Sequence, residues 1–225
     1  MENNTLDMIS LREKYKRLFE IILNAKEFLN LDGLGDEKID DEKMLIISEA
    51  LKSNTPIKEI DLSYNEIGDE GMKYLSESLK FNSNLKTLSL SSNNIRIEGT
   101  KHLCESLKIN CSLKKLSLRY NNVGKQGTKY LSEALKINNR LKEIYLSYNQ
   151  IGDEGMKYLS EALKVNTTLK RISISSNCIK KEGMKYLSES LRINTTLKEI
   201  DLSFNNIEDI GIFFNFLHTI LYFFY

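Results

Sequence analysis

From Ile57 onward one pattern of residues returns every 28 positions, with units opening at Ile57, Leu85, Leu113, Leu141, Leu169 and Leu197. This constrains the fold more than any other feature, because so short a unit cannot bury its own apolar face and must stack on its neighbours. The unit LKEIYLSYNQIGDEGMKYLSEALKVNTT shows the frame, with Leu141, Ile144, Leu146, Asn149 and Ile151 spaced as LxxLxLxxNxI. A chain of 225 residues could hold one ordinary core, so the repeat, not the length, selects a stacked array.

Each unit reads as strand, turn and helix. Alternation such as Leu88, Ser89, Leu90, Ser91 has period two and predicts a short strand with one face buried. Gly152, Asp153, Glu154 and Gly155 then interrupt the strand; Asp153 is expected to cap the helix that follows, and both acids favour its positive end. Met156, Leu159 and Leu163 form one apolar helical face, while Lys157, Glu161 and Lys164 face water. Asn82, Asn110, Asn138, Asn166 and Asn194 are expected to end the helices in the left-handed conformation. A second column, Asn65, Asn93, Asn121, Asn149, Asn177 and Asn205, is expected to satisfy backbone groups of the turn and the adjoining unit.

The strand frame, the glycine-bearing turn, the helix pattern and the Leu-Lys-x-Asn ending resemble the ribonuclease-inhibitor-like class of leucine-rich repeats, found also in NOD-like receptors and Ran GTPase-activating proteins. The resemblance covers residues 29–211. It implies an α/β fold: a curved horseshoe segment of leucine-rich-repeat solenoid, with a parallel inner β-sheet and outer α-helices, used for recognition. It names no partner.

The chain divides into an N-terminal capping helix (1–28), a degenerate N-terminal repeat (29–56), the repeat array (57–211) and an apolar C-terminal tail or cap (212–225). In the degenerate repeat Ile39, Met44, Ile47, Leu51 and Asn54 keep the frame, but the strand region around Leu31 and Leu34 is poor. Leu11, Tyr15, Leu18 and Ile22 make one helical stripe, with Ser10 and Glu13 at capping-box spacing. That helix either covers the open end of the array or binds a partner. The aromatic tail is shorter than the roughly 20 residues a membrane-spanning helix needs. It reads as an unusual cap, as a surface docking on another chain, self-association included, or as the end of a shortened array.

Composition limits the function classes. Lys and Arg (32) balance Asp and Glu (31), so there is no global field to recruit nucleic acid or an anionic membrane. Cys104, Cys111 and Cys178 are scattered and odd in number, which argues against a disulfide framework or a structural zinc site. With no basic, apolar start of the secretory kind, the reading is intracellular, in the cytoplasm. Sequons at Asn110, Asn166 and Asn194 coincide with a fixed repeat position and read as structural. Two distant histidines, no nucleophile arrangement and no phosphate loop speak against an enzyme, and no cofactor or metal is implied.

Recognition should fall on the concave side, at the third, fifth, seventh and eighth positions of each unit, which vary while the frame does not. Tyrosine and arginine dominate binding energy at protein interfaces. Arg119, Tyr120, Tyr145 and Tyr148 are therefore expected to sit together as the centre of the site, with Lys115 and Arg171 drawing in an acidic segment and Tyr64 on the same face. A helical column, Tyr74, His102, Tyr130, Tyr158 and Tyr186, reads as packing between helices in preference to a platform for bases. The expected function is a noncatalytic module that binds a protein partner, with no nucleic acid and no membrane span. The alternative is a GTPase activator of the Ran-activator type, and a third reading is the repeat portion of a NOD-like sensor.

Overall fold

A computed structural model describes residues 2–33, 37–53 and 56–207. Two helices open it, α1 (Glu2–Lys14) and α2 (Lys16–Asn24), followed by β1 (Phe28–Asn30) and α3 (Asp41–Lys52). Strand and helix then alternate: β2 (Glu59–Asp61), α4 (Asp69–Leu79), β3 (Thr87–Ser89), α5 (Ile97–Leu107), β4 (Lys115–Ser117) and α6 (Gly124–Ile137). The series ends with β5 (Glu143–Tyr145), α7 (Gly152–Val165), β6 (Arg171–Ser173), α8 (Lys181–Leu191) and β7 (Glu199–Asp201). The seven strands form one parallel sheet in chain order, and α3 to α8 pack side by side in a second layer. The core runs between the layers: Leu88, Leu90, Ile95 and Leu103 of one unit, like their counterparts in the next, are fully buried. The α/β solenoid with parallel sheet and outer helices expected from the repeat is therefore the fold.

The asparagines after each strand stitch neighbouring units together. Asn93 Nδ2 donates to Leu90 O and Ser91 O of its own turn at 3.1 and 3.2 Å and to Leu62 O of the preceding unit at 2.9 Å, while its Oδ1 accepts Ile67 N–H at 3.0 Å. Four backbone groups thus depend on one buried amide, and stranding any of them costs roughly 1–3 kcal/mol.

The helix-closing asparagines work differently from the sequence expectation. Asn138 and Asn166 are extended, with φ/ψ of −66°/121° and −74°/123°, not left-handed. Their side chains supply the closure: Asn166 Oδ1 accepts Thr168 N–H and Leu169 N–H at 3.0 and 2.8 Å, and its Nδ2 donates to Leu135 O at 2.7 Å in the preceding unit. Left-handed backbone lies instead at the eighth position, where Tyr64, Ser92, Tyr120, Tyr148, Ser176 and Phe204 have φ between 52° and 58°.

The capping aspartates also act across units. Asp153 caps the helix of the next repeat, accepting Lys180 N–H and Gly183 N–H at 2.7 and 2.9 Å; Asp69 does the same for Arg96 and Gly99. The equivalent positions ahead of α6 and α7 hold Ile97 and Lys125, which offer no acceptor. There Gly124 and Gly152 take φ of 61° and 62°, and their N–H groups turn to the carbonyls of Asn149 and Asn177 in the following unit. A non-glycine residue would strain that turn.

The first strand lies earlier than the sequence suggests. Phe28 pairs with Glu59, 31 residues on, whereas Glu59 pairs with Thr87, 28 on, so three extra residues separate strand and helix in the first unit. Leu29 and Leu31 are the buried pair, and β1 begins at Phe28, ahead of the frame counted back from Ile57; Leu34 lies outside the described residues. The N-terminal stripe is split at Tyr15 between α1 and α2, with Leu18 and Ile22 buried and Leu11 and Tyr15 packed against the core. The tail at 212–225 lies outside the described residues.

Candidate functional site on the exposed sheet face

Strand alternation sends the fourth and sixth residues of each unit into the core and the third, fifth and seventh to the open face of the sheet. The left-handed turn at the eighth residue then projects six side chains in a row from one edge of that face.

In this row the rings of Tyr120 and Tyr148 stack, with centroids 4.1 Å apart and planes 13° from parallel. Both are exposed, at 50% and 44%. Ser92 intervenes between Tyr120 and Tyr64, so Tyr64 stands outside the pair although it shares its face.

A second cluster forms around Tyr145 on the strands. The Arg119 guanidinium lies 4.8 Å from the ring centroid and Lys115 Nζ 5.2 Å from it. The Tyr145 hydroxyl donates to Glu143 Oε2 at 2.7 Å. Partial burial, followed by this bond to Glu143, raises the Tyr145 pKa above the usual phenol value. Arg119 also reaches two units onward: Nη2 donates to Ser173 Oγ at 3.4 Å, and Ser173 donates to Asp201 Oδ2 at 2.8 Å. Burial would raise the Asp201 carboxyl, but hydrogen bonds from Ser203 and Ser173, with the Arg119 charge, outweigh it and hold the pKa below its ordinary value.

Arg119, Tyr120, Tyr145 and Tyr148 thus occupy neighbouring units as two adjoining clusters. Lys115 faces Glu143 at 3.9 Å and Arg171 faces Glu199 at 2.5 Å. Their pull on an acidic segment is largely offset within the chain. Beside the Tyr145 cluster the face holds a hollow of about 380 Å³, with Phe28, Glu59 and Asp61 on one wall, Lys115, Arg119 and Tyr145 on the other, and a serine floor. Glu59 and Asp61 fall at the third and fifth positions of the unit that opens at Ile57, where the repeat frame puts acids on the open face, whereas Phe28 escapes a reading that sets the first strand around Leu31 and Leu34. The alternation of Phe28, Leu29, Asn30 and Leu31 was the available signal.

The leucine-rich repeat pattern matches residues 53–76, 81–104, 110–132, 138–160, 165–188 and 194–213. The chain belongs to the leucine-rich repeat family. The ribonuclease-inhibitor-like class is consistent with these repeats. No curated protein matches the chain. Among solved structures, actin-binding site 2 of leiomodin-1 is similar, with a TM-score of 0.57 and 21% identity over 68% of this chain and 88% of its own. The C-terminal domain of tropomodulin from Caenorhabditis elegans is similar with a TM-score of 0.57 and 20% identity, over 69% of this chain and 93% of its own. At this identity the likeness is one of fold.

Elsewhere the leucine-rich repeats use polar and aromatic side chains for packing. In the helical column Lys101, Lys129 and Lys157 lie 5.7–5.9 Å over the rings of Tyr130, Tyr158 and Tyr186 in the next unit, which occupies the faces a base would need. Asn110, Asn166 and Asn194 of the sequons are buried, and each Nδ2 is held by carbonyls of the preceding unit, so the folded array does not present them for glycosylation. Burial of Cys104 raises its thiol pKa far above the usual range. Among the described residues no helix is long and apolar enough to cross a membrane.

Proposed function

We propose that this chain is a noncatalytic interaction module that holds a protein partner on the concave face of its sheet, centred on Arg119, Tyr120, Tyr145 and Tyr148. The observation that carries the reading is the exposed Tyr120–Tyr148 stack beside a tyrosine already clasped by cations. Rings fixed before binding lose little side-chain entropy when a partner covers them, so their buried area converts efficiently into affinity. Lys115, Arg171 and Tyr64 form the polar surround. In this reading α1 and α2 cover the N-terminal end of an intracellular array. The similar leiomodin-1 domain is an actin-binding site of that protein, which makes actin the first candidate to try. The GTPase-activator alternative rests on the shared repeat alone, and neither the leiomodin-1 nor the tropomodulin domain supports it.

The test is affinity capture from source-cell lysate and from purified actin, comparing the natural chain with an Arg119→Ala, Tyr120→Ala, Tyr148→Ala variant shown to fold. A partner retained by the natural chain and lost from the variant is expected. Identical captures would move the binding surface elsewhere.

A further inference from the structure

The near-balance of charge over the whole chain hides a segregation by repeat position. The second residue of every unit is lysine: Lys58, Lys86, Lys114, Lys142, Lys170 and Lys198. These lysines are bonded to one another in sequence through their backbones: from Lys86 onward each N–H donates to the carbonyl of the lysine before it at 2.6–2.8 Å. Strands in such a ladder stand about 4.8 Å apart, well inside the screening length of physiological salt. Lys58 is paired with Glu27. Among the described residues, the ion pairs at the helix ends engage other lysines and leave Lys86, Lys114, Lys142, Lys170 and Lys198 without a carboxylate. Partial burial, followed by the nearby charges of Arg140, Lys142 and Lys86, lowers the Lys114 pKa.

The same edge, where helices end and strands begin, carries an apolar row. Phe81, Ile109, Ile137, Val165 and Ile193 each precede a helix-closing asparagine and are 58–71% exposed. Lys86 Nζ donates to Ser83 O at 3.0 Å, which sets the lysine ladder beside the turn that follows Phe81. Core packing accounts for none of these five side chains, yet they recur once per unit through five units.

We propose that this edge is a peripheral docking surface for an anionic lipid bilayer, with the lysine row against the headgroups and the Phe81 to Ile193 row entering the interface. A row of cations beside a row of exposed apolar side chains fits a surface that offers anions and an apolar layer together. A nucleic acid would be met by stacking rings or arginines, and this row has one ring. The surface is separate from the sheet face proposed above, so either assignment can fail alone.

The experiment is vesicle flotation of the full chain with phosphatidylcholine alone and with phosphatidylcholine mixed with phosphatidylserine, at low and high salt. Preferential, salt-sensitive binding to the mixed vesicles is expected. A Lys114→Gln, Lys142→Gln, Lys170→Gln variant should lose roughly fivefold per lysine, on the order of a hundredfold in all. An Ile109→Ser, Ile137→Ser, Val165→Ser variant should bind less while remaining salt-sensitive, and the sheet-face triple-alanine variant should bind as the natural chain does. If the triple glutamine variant does not fold, the single Lys142→Glu change gives the same reading at smaller amplitude. No binding, equal binding to both vesicles, or mixed-vesicle binding unaffected by the lysine changes overturns the proposal. Retention on polyglutamate but not on vesicles also overturns it and reassigns the edge to an acidic protein.

Discussion

The rings of Tyr120 and Tyr148 lie 4.1 Å apart and 13° from parallel although they belong to successive repeats. The cause is local: both residues hold the left-handed conformation, with φ of 52° and 58°, so their side chains leave the turns in the same direction. Strand spacing then brings the rings to stacking distance. A double-mutant cycle with Tyr120→Ala and Tyr148→Ala, read by urea unfolding, should give a coupling of about 0.5 kcal/mol, the low end for aromatic pairs because both rings are half exposed. Strict additivity would mean that the rings do not stack in solution.

The left-handed turn itself has a cost. Ser92 holds φ of 54° without the ring contact that Tyr120 gains. Ser92→Gly should stabilise the array by about 0.5 kcal/mol, the relief of left-handed strain less the added freedom of glycine when unfolded. Ser92→Val, with a branched β-carbon, should destabilise by more than about 1 kcal/mol. Denaturant midpoints of the two variants should therefore move in opposite directions.

Capping across repeats makes an aspartate report on the helix after its own. Asp69 Oδ1 accepts Gly99 N–H at 2.8 Å and Arg96 N–H at 2.9 Å, at the start of α5. Asp69→Ala should cost about 1 kcal/mol, and hydrogen exchange should quicken at Arg96 and Gly99 more than in α4, where Asp69 resides. Quickening confined to α4 would contradict the assignment. At Gly99 an added Cβ would sit 2.6 Å from the same oxygen, so Gly99→Ala should displace the cap as well.

Asp201 gives the sheet face an acid-sensitive tether. Its folded pKa is held below the ordinary value, while in the unfolded chain it titrates near 3.9. The unfolded state therefore binds the proton first, and the stabilisation is complete above about pH 4 and is lost as pH falls through the lower folded value. Asp201→Asn should be less stable than the natural chain at neutral pH, with the gap narrowing in acid. A gap independent of pH would show that the carboxylate is not the stabilising form.

The fold was legible because stacking forces every unit to keep the same apolar frame: Leu88, Leu116 and Ile144 recur at one position and are all buried. Within-unit spacing could not reveal which unit a polar side chain serves. In the sequence Asp153 and the helix-closing asparagines therefore look local, although their hydrogen bonds cross to the neighbour. The strand at Phe28 was hidden by three extra residues that shift the frame once. For the site, repeat position identified the tyrosines and arginines of the open face. Their internal partners, Glu143 for Lys115 and Glu199 for Arg171, depend on which charges the parallel register sets opposite one another.

The central claim, that a protein partner is held on the sheet face, is tested most directly by site-specific photo-crosslinking. A photoreactive phenylalanine analogue is placed at Tyr120 on that face or at Tyr158 on the helical side, and each form is irradiated in the presence of the captured partner. The account predicts a crosslinked adduct from position 120 and none from position 158. An adduct from position 158 alone would place the partner on the helices and contradict it.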